Sequence, residues 1–215
     1  MKEKIDKKDF FKILNDICKI IEEKKDYLSE LDRAIGDGDH GVTMSIGWTA
    51  IKNQLTTITL EENFNIICNK IAASFLTAVG ASAGPLYATA LMRGGAVLKD
   101  IQYIDAEHMS QFIEAAAKGI QDRGKAEIGD KTMLDVWLPA AEAMRKQVTN
   151  GADLLSSLAN MSKEAEISMK KTKELKSRKG RSSKLGDRSI GHIDPGAASS
   201  FLILNSIYNS VLSMG

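Results

Sequence analysis

The chain has 215 residues with 29 Lys and Arg against 28 Asp and Glu, a net charge of +1, 43% apolar and 27% charged residues. This balance fits one large or two small globular domains and does not point to a polyanionic partner. No apolar run approaches the roughly 20 residues of a membrane span, and the charged segment from Met1 to Phe10 lacks a signal-peptide core, so a cytoplasmic protein with no membrane partner is expected.

In chain order, Phe10, Ile13, Leu14, Ile17, Ile20 and Ile21 recur at helical spacing and predict a first helix. A second is expected over Val42 to Leu55, a third through Phe64, Ile67, Ile71, Phe75 and Val79, and a fourth from Pro85 to near Lys99. The fifth spans roughly Ala106 to Asp122. The sixth starts near Thr132, with Pro139 as a point of kinking, and the seventh runs from Ala152 to Leu175. The eighth opens at Asp194-Pro195-Gly196, with Asp as N-cap and Pro in the first turn. No apolar–polar alternation marks a strand, and no Pro, Gly and Ser stretch divides the chain. The expected fold is all-α: a single domain over 1–215, built as an antiparallel up-and-down bundle of eight helices. Whether its middle is filled or hollow stays open. Cys18 and Cys68 lack zinc or redox spacing and read as buried free thiols.

Four loops are unusual, and each precedes a helix. The first reads Leu-Asp-Arg-Ala-Ile-Gly-Asp-Gly-Asp-His-Gly over 31–41, with Asp32, Asp37 and Asp39 inside eight residues. Unpaired buried carboxylates are costly and clustered ones raise each other's pKa, so a cation is expected among them. Hard divalent ions such as Mg²⁺ take carboxylate oxygens together with phosphate oxygens. The second loop is Val79 to Pro85, whose small residues let backbone N–H groups approach an anion at a helix N-terminus. The third is Gly124 to Met133 and the fourth Gly186 to Gly196. In an up-and-down bundle the loops opening the second, fourth, sixth and eighth helices share one end, so these four converge. Each has a plainer reading. Asp39, Asp130 and Asp194 can be helix caps, the small residues at 80–84 can be helix packing, and His40 and His192 can be surface residues.

Residues 170–184 carry eight basic residues and one acid. A nucleic-acid partner is disfavoured, because no aromatic side chain interleaves them for base stacking and the rest of the chain is net negative. A basic lid over phosphates, or a solvated helix end, fits better.

The segments LDRAIGDGDHG at 31–41, Gly84-Pro85-Leu86-Tyr87, Gly129-Asp130-Lys131-Thr132-Met133 and GRSSKLGDRSIGHIDPG at 180–196 together resemble the nucleotide-binding L subunits of bacterial phosphotransferase-dependent dihydroxyacetone kinases. The resemblance spans nearly the whole chain. It implies an eight-helix barrel with ADP or ATP at one end and two Mg²⁺ ions held by Asp32, Asp37 and Asp39. Implied nucleotide contacts fall on His40, Gly41, Thr43, Ser82, Ala83, Gly124, Met133, Arg188, Asp194, Pro195 and Gly196. The family usually has Ser directly before Gly-Pro and often Asn at the place of Thr43; here Ala83 follows Ser82, and backbone donors remain. The implied activity is a relay. A phosphohistidine on an M subunit rephosphorylates bound ADP, and the ATP formed phosphorylates dihydroxyacetone on a K subunit. No catalytic base is assigned to this chain. Two other readings stand beside it: an ATP-dependent kinase subunit for another small ketose, and a module signalling nucleotide state to a transcription regulator.

Overall fold

The computed structural model describes residues 2–80 and 82–215; Ala81, in the second of the four loops, lies outside them. Among the described residues the chain forms nine α-helices: α1 (Lys7–Glu23), α2 (Lys25–Ile35), α3 (His40–Leu55), α4 (Phe64–Ala78), α5 (Ala83–Ala96), α6 (Ala106–Gly124), α7 (Leu134–Thr149), α8 (Leu154–Lys171) and α9 (Pro195–Leu212). Their starts follow local chemistry. The Asp6 side chain accepts from the Asp9 amide while Asp9 reciprocates, closing a capping box at α1. Asp105, Asp153 and Asp194 each accept from a backbone amide three residues on and open α6, α8 and α9. The expected all-helical class holds; among the described residues one antiparallel bridge, Ile5 to Ile104, joins separate segments. Among the described residues no helix is long and apolar enough to cross a membrane.

Eight of the helices close a ring. From α1 it passes through α3, α4, α5, α6, α7 and α8 to α9, which packs back on α1. The eight-helix barrel is therefore as expected, but α2 is an addition to it, flanking α3 and touching α9. It follows α1 after only Lys24. Its buried stripe is Leu28, Ser29, Asp32 and Ile35, so two polar residues stand where helical periodicity asks for apolar ones. The helix expected to run to Leu175 instead ends at Lys171, and a 3₁₀ turn takes over at Thr172–Glu174. α7 runs through Pro139.

The barrel interior is largely filled. Trp48, Phe75 and Tyr87 form an aromatic cluster, Trp48 meeting Phe75 edge-on with ring centroids 6.2 Å apart and Phe75 tilted against Tyr87 at 5.6 Å, and Phe10 meets Phe64 edge-on at 5.4 Å. A small apolar cavity of about 50 Å³ remains at the centre. Cys18 and Cys68 are free and buried, as expected.

Close approach of α5 to α4 depends on Gly95. A Cβ there would lie 2.3 Å from the Cβ of buried Cys68, a distance that backbone or side-chain shifts must relieve. Gly95→Ala gains about 1 kcal/mol in helix propensity but overpacks the seam, which typically costs 1–3 kcal/mol. The variant should unfold at a lower urea concentration than the wild type, with its far-ultraviolet circular dichroism unchanged before the transition.

Candidate functional site

α3, α5, α7 and α9 all begin at one end of the ring, and a cavity of about 490 Å³ opens there. The four glycine-rich loops converge on it as the up-and-down topology requires.

One corner of the cavity is acidic. Asp32 sits in the last turn of α2, only 9% exposed, and its Oδ2 accepts the His40 amide at 3.1 Å. The chain can turn immediately after it because residue 36 is glycine: a Cβ there would fall 2.2 Å from Asp32 Oδ1. Gly38 then adopts φ +81°, the left-handed region that glycine enters without penalty. Asp37 and Asp39 project from this turn, about half-exposed, and one carboxylate oxygen from each of the three aspartates lies within 4.8 Å of the others. Asp39 stands at the N-cap position of α3 but makes no side-chain cap hydrogen bond, so its carboxylate is free to face the corner. Burial and the charge of Asp32 push its carboxyl above the ordinary range. The Arg181 guanidinium reaches this corner, pairing with Asp37 and, at 3.0 Å, with Asp39. Three carboxylates offer an all-oxygen donor set of the kind that hard divalent cations take.

The remaining walls divide by chemistry. Ser82 and Ala83 lie at the start of α5, and Asp194, Pro195 and Gly196 open α9, so small residues and helix N-termini face the cavity. Gly84 permits the turn before α5, since a Cβ would sit 1.9 Å from the Val79 carbonyl oxygen. Ile35, Leu86, Ile120, Ala126, Met133 and Leu134 give an apolar side suited to a flat ring. Asp135, buried, accepts from the amides of Gly129 at 2.5 Å and Thr132 at 2.7 Å and so shapes the loop before α7.

Beneath the cavity a hydrogen-bonded chain crosses the barrel. His40 Nε2 lies 2.9 Å from Ser199 Oγ, and the Tyr87 hydroxyl lies 3.2 Å from Ser199 Oγ and 3.4 Å from Ser200 Oγ. Trp137 Nε1 donates to Ser200 Oγ at 3.0 Å. These residues belong to α3, α9, α5 and α7, so the four helices that open at the cavity are fastened together just below it. Burial holds the His40 ring neutral, with its pKa pushed down to about 4, and pushes the Tyr87 phenol up to about 12.

Asp32, Asp37, Asp39, His40, Thr43, Ser82, Ala83, Gly124, Met133, Asp194, Pro195 and Gly196 all line the cavity. Two residues singled out in the sequence do not. Gly41 is turned toward α2, where a Cβ would meet the Lys25 carbonyl oxygen at 1.9 Å, so its smallness serves helix packing. Arg188 is exposed and stands outside the lining. Arg181 and Lys131, which do line it, were not singled out. Arg181 was one of eight basic residues in a run, and Lys131 lay in a recognised motif with nothing to mark it as buried.

Fold and site together define an all-helical barrel with an acidic, oxygen-rich corner and helix N-termini at its open end. Residues 34–209 match the DAK2 domain, and the chain belongs to that family, as the motif resemblance implied. It is 39% identical over 200 residues, 93% of this chain and 94% of the relative, to the PEP-dependent dihydroxyacetone kinase 1, ADP-binding subunit DhaL, of Listeria innocua. It is 36% identical over 188 residues, 87% of this chain and 89% of the relative, to the PEP-dependent dihydroxyacetone kinase, ADP-binding subunit DhaL, of Escherichia coli. The same fold occurs in the crystal structure of the dihydroxyacetone kinase from C. freundii in complex with AMP-PNP and Mg²⁺. There the TM-score is 0.69 at 23% identity, over 92% of this chain and 33% of that one.

The Asp194 carboxylate accepts the Ala197 amide at 2.8 Å, and burial pushes its pKa from the ordinary 3.8 up to about 7. The folded chain thus holds this proton more tightly than the unfolded chain. The associated stability is full below about pH 4 and is lost as pH rises through 7. Asp194→Asn keeps a competent cap without the charge. The difference in Tm, variant minus wild type, should be smallest near pH 4, grow toward pH 7, and level off above it; thermal denaturation at pH 4.5, 6 and 8 measures it.

Proposed function

We propose that this chain is the ADP-binding subunit of a phosphoenolpyruvate-dependent dihydroxyacetone kinase, in which bound nucleotide passes a phosphoryl group between two partner subunits. The observation that carries this reading is the convergence of Asp32, Asp37 and Asp39 on one corner of a cavity lined by helix N-termini, in a chain that aligns with ADP-binding subunits over about nine-tenths of its length.

Asp32, Asp37 and Asp39 would hold two Mg²⁺ ions, which when bound supply positive charge to the oxygens of a transferring phosphoryl group. The chain's own residues do the rest. The start of α5 and the Pro195–Gly196 turn present backbone amides and the positive ends of helix dipoles to phosphate. The apolar side formed by Leu86, Ile120, Met133 and Leu134 takes the adenine ring. Thr43 and His40 line the cavity from the first turn of α3. Arg181, planar and always charged, supplies a forked donor that faces the acidic corner and reaches a phosphate lying in it. Phosphoryl transfer asks for positioning and charge compensation more than for covalent help, and the site is built of groups of that kind. The phosphoryl donor is a phosphohistidine on an M subunit, and the acceptor hydroxyl of dihydroxyacetone is bound and activated on a K subunit.

Asp37→Ala should weaken Mg·ADP binding about a hundredfold or more, roughly 2.8 kcal/mol, with helical content unchanged. Calorimetric titration and chromatography of nucleotide released from the denatured protein measure this, and undiminished nucleotide content would overturn the metal assignment. In a reconstituted assay with labelled phosphoenolpyruvate, label should reach dihydroxyacetone only when both K and M subunits are present. Sustained turnover on free ATP without an M subunit would instead assign the chain to the ATP-dependent type.

A further inference from the structure

Lys131 is an unusual lysine. It is 1% exposed, and it adopts φ +62°, a left-handed conformation that costs a non-glycine residue about 1 kcal/mol or more and persists only where the surroundings impose it. Its ammonium has three N–H donors, and each meets a backbone carbonyl: Leu175 at 3.1 Å, Ser189 at 2.6 Å and His192 at 2.7 Å. Leu175 lies at one root of the segment that runs out over the cavity and returns, while Ser189 and His192 lie at the other. The same seam is closed by Gly191 N–H donating to the Lys173 carbonyl at 2.7 Å and by Ser177 N–H donating to Ser189 Oγ at 2.8 Å. Arg178 N–H donates to the Asp130 carbonyl at 3.0 Å, tying the seam to the loop that carries Lys131.

Beyond the seam the segment is built differently. Gly180 and Gly186 take φ +67° and +58°, and a Cβ at either would meet nothing within 4 Å. Between them lies the turn that carries Arg181 to the cavity. The direction in which Arg181 is offered therefore depends on how the two roots are held.

We propose that Lys131 is the positioning residue for Arg181: its buried ammonium gathers both roots of segment 175–192 and thereby presents the Arg181 guanidinium to the Asp37–Asp39 corner. The chemistry requires a cation of this length. Three carbonyls turned toward one point repel one another, and only a donor-rich charged group satisfies all three at once; such charge-assisted bonds are the stronger kind. A neutral side chain leaves buried acceptors unpaired, each costing about 1–3 kcal/mol, and the roots separate. The nearby Asp194 carboxylate favours the charged lysine against the burial that opposes it. The inference rests on the nucleotide-binding reading for its effect on ligand, but the pinning of the roots does not.

The test is a double-mutant cycle with Lys131→Met, Arg181→Ala and the combined variant, read by calorimetric titration with Mg·ADP and by trypsin digestion without any ligand. Lys131→Met and Arg181→Ala should each weaken binding about tenfold, and the combined variant should be no more than about twofold weaker than Arg181→Ala alone. Ligand-free Lys131→Met should be cut within 176–188 at least tenfold faster than the wild type. Additive losses, reaching about a hundredfold in the combined variant, would mean that Lys131 acts on the site independently of Arg181 and would overturn the proposal, as would unchanged binding in Lys131→Met. A wild type that does not bind Mg·ADP would refute the nucleotide reading, and the ligand-free digestion would then decide the pin alone, equal cutting overturning it. Should Lys131→Met not fold, Lys131→Gln, whose amide reaches fewer of the carbonyls, takes its place in the same cycle.

Discussion

Mutual repulsion of three carboxylates is the constraint around which the open end of the barrel is organised. Asp32, Asp37 and Asp39 bring their oxygens within 4.8 Å of one another in a partly desolvated corner, where like charges are expensive. Every neighbouring feature lowers that expense or makes room for the charges. The His40 amide donates to Asp32. Gly36 leaves space for the Asp32 carboxylate and Gly38 turns the chain so that the other two can face it. The N-terminus of α3 places the positive end of a helix dipole beside them. Arg181 arrives from a distant part of the chain and adds a full positive charge. An arrangement that keeps so much negative charge together, rather than dispersing it, is suited to a cationic ligand whose own charge exceeds that of one arginine.

The ring of helices makes this corner possible by leaving its ends, not its sides, as the places where chemistry can sit. Along the sides, helices meet through glycines and small residues, as α5 meets α4 at Gly95. At the open end, four helices start together, and their free N–H groups face a common space. Such an end would splay if nothing held the four helices at a fixed separation. The chain from His40 through Ser199, Tyr87 and Ser200 to Trp137 does so with one residue each from α3, α5 and α7 and two from α9. Its members, buried apart from the half-buried His40 at the mouth, satisfy one another, the condition under which polar networks specify geometry instead of costing stability.

The barrel was legible because helices such as α1 and α4 carry apolar residues at helical spacing, while Pro85 and Asp194-Pro195-Gly196 mark the starts of others. α2 was not, because its inward face alternates Leu28 and Ile35 with Ser29 and Asp32, and periodicity counts only apolar residues. The acidic corner was legible because a packed core has no use for three aspartates in eight residues. Which residues serve it was legible only in part. Asp39 and Asp194 look alike as helix starters, yet Asp194 caps α9 and Asp39 leaves its helix uncapped. Gly41 stands beside site residues in sequence but is turned toward α2. The choice between Arg181 and Arg188 depends on the path of a segment with two left-handed glycines, and composition does not encode that path. A buried lysine is rarer still, and no local pattern distinguishes it from a solvated one.

Tyr87 borders both the polar cavity at the mouth and the small apolar void at the middle of the barrel. Its hydroxyl is held by Ser199 and Ser200, and its ring rests against Phe75. One aromatic side chain thus serves as the partition between two media, water-accessible on one side and hydrocarbon-like on the other. Because its ring belongs to the walls of both spaces, shortening Tyr87 would open the apolar void toward the wet cavity, and the low dielectric that gives the buried network its strength would be lost from the inside.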